Sequence, residues 1–153
     1  MAEERADSAD DAQPPGAPVE PRDPEPYDAL HFTVQLPATP YSVAAARAIS
    51  RAWCQSAGGE RDGEALELLV SEAVTNAVRH AARGPRDLIT VDMTLTPEVT
   101  ETSVSDHGPA FTAASEPPDL EQTSGFGLHI IAHLARTWVV ERHASGNRIT
   151  FTL

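Results

Sequence analysis

The chain has 153 residues, 41% of them hydrophobic, which is one domain's worth with enough apolar content for a core. Its 23 acidic residues against 11 basic ones leave a formal charge of −12, and that sign argues against a general nucleic-acid binder. All eleven basic residues are arginine, which excludes a Walker-type phosphate loop, a protein-kinase-type ATP lysine and Schiff-base chemistry, while a lone cysteine, Cys54, excludes an internal disulfide and a cysteine metal cluster.

The first 28 residues read as a unit of their own. They hold nine acids against Arg5 and Arg22, which places −7 of the formal charge here and leaves −5 for the rest. Six prolines and no apolar periodicity predict a disordered acidic tail, because such a stretch cannot bury enough surface to offset its ordering entropy. It lacks the apolar centre and basic start of a signal peptide, and no run of about 20 apolar residues occurs anywhere in the sequence. The expectation is a soluble, cytoplasmic protein without membrane contact, its domain spanning residues 29–153.

The elements alternate along that domain. Leu30 to Leu36 alternates apolar and polar residues like a strand, which Pro37 and Pro40 end. Tyr41 to Ala57 is alanine-rich, with Val43, Ala46, Ile49 and Trp53 at helical spacing and Cys54 as a small core residue; Gly58 and Gly59 stop it. Asp62 is a plausible N-cap for a second helix that reaches toward Gly84 and Pro85. Leu88 to Thr96 and Val99 to Asp106 are alternating strands joined around Pro97 and Glu98, which predicts a hairpin. An irregular, proline-rich segment runs to Ser124. Gly127 to Ala135 is a short helix, and Thr137–His143 with Asn147–Leu153 forms a second hairpin around Ser145 and Gly146. The fold class is α+β, a two-layer sandwich with a mostly antiparallel sheet and its helices on one face.

The second helix carries an unusual row. At 100° per residue Leu66, Leu69, Val70, Ala73, Ala77 and Ala81 share one face, while Glu72, Asn76, Arg79 and Arg83 form a strip beside it. The far side, with Ser71, Val74, Thr75, Val78 and Ala82, has few charges, so the helix reads as covered over much of its circumference. A polar line at the edge of a covered helix fits a cleft wall. From this helix by itself, surface charges around a satisfied core asparagine account for the row equally well.

Two turns tip the balance. Asp106 ends a strand just before Gly108 and Pro109; such a carboxylate can accept a hydrogen bond from an exocyclic amine, and a glycine lets a flat ring lie close. Gly125 and Gly127 sit at a helix start, where free N–H groups and the helix dipole favour phosphate. Each turn taken singly is common; their order and separation behind the Glu-x-x-x-Asn helix is the specific signal.

Leu68–Ala81, Ser105–Phe111 and Gly125–Ile131 together resemble the N box and the two glycine boxes of the GHKL ATPase domain, shared by gyrase, heat-shock chaperones, histidine kinases and mismatch-repair ATPases. More narrowly, the chain from about Leu30 to Leu153 is similar to the stand-alone anti-sigma factor serine kinases of bacteria. The resemblance implies ATP and Mg²⁺ as cofactors. Asn76 would ligate Mg²⁺ bridging the phosphates, Arg79 would reach phosphate, and Glu72 would be the general base. Asp106 would accept the adenine amino proton with Gly108 beneath the ring, Gly125 and Gly127 would wrap the phosphates, and residues 110–124 would be the ATP lid. His80, Ala110, Phe126 and Leu128 join these as nucleotide-site candidates. Ala110 departs from the pattern, standing where the first glycine box usually has a second glycine and so restricting the lid hinge. Family members often support the adenine aspartate with a threonine near the C-terminus, for which Thr150 is the candidate.

The resemblance implies, as partners, a small anti-sigma factor antagonist that is phosphorylated and a sigma factor that is bound, and it leaves a homodimer open. No room remains for the dimerising helix pair of histidine kinases or for a transducer domain, which favours action on a partner in trans. Glu72 could deprotonate a serine or a water, so it does not separate kinase from ATPase. A non-catalytic, nucleotide-gated regulatory binding protein is the rival reading, and an ATP-binding orphan with a changed partner a third. His129 and His133 are four apart on one helix face but lack an acidic third ligand, so no transition-metal site is expected there. His107, in the turn after Asp106, is expected to be solvated.

Overall fold

The computed structural model describes residues 29–58, 62–81, 87–108, 126–143 and 146–153. The acidic tail, the whole expected lid and residues 59–61, 82–86 and 144–145 lie outside the described residues. In chain order come β1 (Leu30–Pro37), α1 (Tyr41–Ser56), α2 (Gly63–Ala81), β2 (Leu88–Leu95), β3 (Thr100–Asp106), α3 (Phe126–Leu134), β4 (Thr137–His143) and β5 (Gly146–Thr152). The five strands make one sheet in the order β1-β2-β3-β5-β4, and every pairing is antiparallel. This is the expected α+β arrangement.

Strand periodicity separates two faces. Ile89, Val91, Met93, Val104, Ile149 and Phe151 are buried beneath the helices, as a period of two requires. The residues between them are polar, and one row runs across neighbouring strands from Thr33 through Asp92 to Ser103. There Asp92 accepts hydrogen bonds from the Thr33 hydroxyl at 2.7 Å and the Ser103 hydroxyl at 3.5 Å. Only one side of the sheet can therefore take a helical layer.

Helix α2 is the centre of that layer, packing against α1, α3 and β3. Its Leu66, Leu69, Val70, Ala73, Val74 and Ala77 are all buried, and each fully buried Leu or Val contributes about 1.5–3 kcal/mol. The inward face of α1 differs from the expected one: Ser42, Ala46, Ser50 and Cys54 are buried, whereas Val43, Ile49 and Trp53 pack from the flanks, half-buried. Small side chains at four-residue spacing let α1 lie close to α2, and the hydroxyls find backbone acceptors, Ser50 on Ala46 and Ser42 on Pro37. Burial, followed by the nearby charge of Asp62, pushes the Cys54 thiol pKa up. Helix α1 ends where Gly58 takes φ 74°, a left-handed conformation that glycine adopts without a Cβ penalty.

A double ion pair fastens α1 to α2. Glu67 is only 7% exposed; its Oε1 receives Arg47 Nη2 at 2.9 Å and its Oε2 receives Arg51 Nη2 at 2.6 Å. Hydrogen bonds from Arg51, then Arg47, hold the Glu67 carboxyl below its ordinary value against the opposing effect of burial. A buried carboxylate needs such partners.

Candidate functional site

Asp106 is the last residue of β3 and faces the helical layer, 9% exposed. Its Oδ1 accepts two hydrogen bonds, from the Gly108 N–H at 2.8 Å and from Asn147 Nδ2 at 3.0 Å. The first closes a turn two residues long, the local bonding that aspartate side chains favour. Both donors address one oxygen. Oδ2 takes no hydrogen bond among the described residues and keeps its capacity to accept one from an amine.

The strand beside it is locked in place. Asp106 stands directly opposite Asn147 in the β3–β5 ladder, a placement that puts the two side chains on one face about 5 Å apart at their Cβ atoms. Gly146 begins β5 at φ 145°, and a Cβ there would lie 1.7 Å from the Asp106 carbonyl oxygen. No other residue fits this approach. Thr150, the expected support for Asp106, is three residues too far along: it pairs with Ser103, on the opposite face of the sheet. Asn147 fills that role instead. Sequence reasoning passes it over because the supporting position follows from the exact hairpin register, not from residue type.

From α2 come Glu72 and Asn76, one turn apart and both half-buried, with Arg79 exposed three residues further on. The backbone of His80 continues the helix; its side chain, like that of Phe126, lies outside the described residues, as do Ala110 and Gly125 entirely. Leu128 is half-buried and packs against the core. Gly127, in the first turn of α3, lies against Glu72: a Cβ on it would stand 2.9 Å from Glu72 Oε2 and 3.5 Å from Glu72 Cβ. Its missing side chain is thus occupied by the glutamate, a packing reason for glycine distinct from wrapping phosphate. Glu72 makes no hydrogen bond or ion pair among the described residues. Helices α2 and α3 are in contact at this pair.

The donors suit a hard cation and not a soft one. Among the described residues no three His, Cys, Asp or Glu side chains gather as a metal cluster, and His133 Nδ1 is hydrogen-bonded to the His129 carbonyl oxygen at 3.0 Å. Mg²⁺ needs only one or two protein oxygens when phosphates and waters complete its octahedron. The half-buried Asn76 carboxamide fits that requirement.

The sequence pattern of the histidine kinase-like ATPase domain matches residues 36–153, and the chain belongs to that family. Among curated relatives, the serine-protein kinases RsbW of Listeria monocytogenes and Listeria innocua are each 33% identical over 116 residues, covering 67% of this chain and 74% of the relative. A crystal structure of the RsbU and RsbW domains of a Mycobacterium tuberculosis protein superposes with a TM-score of 0.62 at 24% identity, over 80% of this chain and 32% of that one. That likeness supports the sheet-and-helix architecture. No helix among the described residues is long and apolar enough to cross a membrane.

Proposed function

We propose that this protein is an ATP- and Mg²⁺-dependent serine kinase that phosphorylates a small anti-sigma factor antagonist and binds a sigma factor. The observation that carries the reading is Glu72, a half-buried carboxylate one turn from Asn76, seated against the first turn of α3 and engaged by no hydrogen bond or ion pair among the described residues. A structural glutamate in this fold looks like Glu67, with both oxygens occupied by arginines. With nothing on its oxygens among the described residues, Glu72 is suited to accept a proton.

In the proposed reaction Asp106 would orient the base of ATP through its Oδ2, and Asn76 is the residue whose carboxamide oxygen would hold the metal. Mg²⁺ would supply charge neutralisation on the phosphates as the γ-phosphoryl group is transferred. Glu72 accepts the proton of the incoming serine hydroxyl as its oxygen bonds to the γ-phosphorus and the bond to the ADP leaving oxygen breaks. The relatives named serine-protein kinases support serine, rather than water, as the nucleophile.

Incubation with labelled ATP and candidate antagonist proteins tests this. Glu72→Ala is expected to leave ATP binding largely intact and slow transfer roughly 10²-fold or more, whereas Asn76→Ala abolishes Mg²⁺-dependent ATP binding. Parental transfer rates in Glu72→Ala would remove the mechanism. ATP binding by the parent with no transfer to any antagonist would point to a nucleotide-gated binder.

A further inference from the structure

We infer that Asn147 is a positioning residue that makes the site select adenine over guanine, by tying down one oxygen of Asp106. The inference rests on the nucleotide-binding reading above and adds to it the origin of base preference.

A free, rotatable carboxylate does not favour adenine. Guanine presents two adjacent donors, N1–H and the exocyclic N2 amine, and a carboxylate with both oxygens available can accept both at once. Adenine offers one exocyclic amine beside an acceptor nitrogen, so it uses a single carboxylate oxygen. A site built around aspartate selects adenine only if the second oxygen is withdrawn.

The structure withdraws it. Oδ1 already accepts from Gly108 N–H at 2.8 Å and Asn147 Nδ2 at 3.0 Å, two donors approaching from different segments that fix the rotation of the carboxylate. Asn147 is 2% exposed and opposite Asp106 in the ladder, so its amide cannot swing out to water. Gly146, whose backbone abuts the Asp106 carbonyl, holds the two strands at this spacing. Oδ2, without a partner among the described residues, remains as one acceptor, which matches the single amine of adenine and denies guanine its paired contact. Opposite Oδ2, guanine in the adenine pose would place its O6 carbonyl, an acceptor against an acceptor.

Calorimetric titration of the 153-residue chain with ATP and with GTP, both with Mg²⁺, provides the test. The parent is expected to prefer ATP, and Asn147→Ala to lower the ratio of GTP to ATP dissociation constants roughly tenfold, through weaker ATP binding, tighter GTP binding or both. Melting curves without nucleotide establish that the variant is folded. Should the alanine variant not fold, Asn147→Ser keeps a small polar side chain whose hydroxyl stops short of Oδ1, and the same fall in the ratio is expected. An unchanged ratio, or equal weakening of both nucleotides, overturns the inference while leaving ATP binding in place. A parent that binds neither nucleotide removes the nucleotide-binding reading itself.

Discussion

Replacing Gly127 with alanine separates two accounts of that glycine. The added Cβ would stand 2.9 Å from Glu72 Oε2, and ordinary contact begins near 3.4 Å, so the carboxylate must retreat by about half an ångström. Misplacement of a reacting group by about 1 Å lowers rates on the order of 10²-fold, which scales to a loss of roughly tenfold in phosphate transfer. Stability moves the other way or not at all: alanine gains up to about 1 kcal/mol over glycine within a helix, and the atom it meets is the end of a flexible side chain. The expected result is transfer slowed roughly tenfold, ATP affinity within about threefold of the parent, and an unchanged or slightly raised Tm. In a Glu72→Ala background the same substitution should change the residual rate little, because the two act through one carboxylate. A Gly127→Ala protein that transfers at the parental rate refutes the reasoning. One that loses ATP binding in step with transfer returns Gly127 to the phosphates.

Asp106→Asn alters the base contact without changing volume and is expected to weaken ATP binding far more than folding; unchanged affinity in calorimetry with the fold intact would remove Asp106 from the site. Deleting residues 1–28 should leave Tm and ATP binding nearly unchanged, and a drop of many degrees would show that the tail packs on the domain. Glu67→Gln should lower Tm at neutral pH. Because the folded-state pKa of Glu67 lies below the ordinary 4.5, its contribution is present above that value and is lost as pH falls through the folded pKa. The difference in Tm between parent and variant should therefore shrink on acidification; a difference constant from pH 7 to the acid limb would contradict the ion-pair account.

Local chemistry makes much of this fold legible in the sequence. Pro37 and Pro40, the Gly58 stop and the alternation in Leu88–Leu95 mark elements by rules that need no tertiary context. The inward face of α1 is not legible in that way, since apolar Val43, Ile49 and Trp53 outrank Ser42 and Ser50 until the closeness of α2 is known. Within the candidate site, Asp106 and Gly108 can be singled out because they are neighbours in sequence, and Glu72 with Asn76 because they share a helix. Asn147 depends on a register set by where the β4–β5 turn falls, and the contact of Gly127 with Glu72 depends on how two helices pack. Both are long-range relations.

The antiparallel neighbours β1 and β2 are joined through both α1 and α2, which carries a consequence for how the chain folds. Pro37 pairs with Leu88, so zipping these strands closes a loop of roughly fifty residues, while β2–β3 and β4–β5 close across short turns and face a smaller entropic barrier. The hairpins and α2 are expected to form the nucleus, and β1 to dock late on an already assembled edge. Native-state hydrogen exchange should then find β1 amides opening well before those of β3, whose neighbours flank it on both sides. Equal protection of the two strands would contradict this order. The acidic tail, with its formal charge of −7, is thus tethered to the last strand to arrive and the first to leave, so a cation-rich surface that captured the tail would pull on the least stable edge of the sheet.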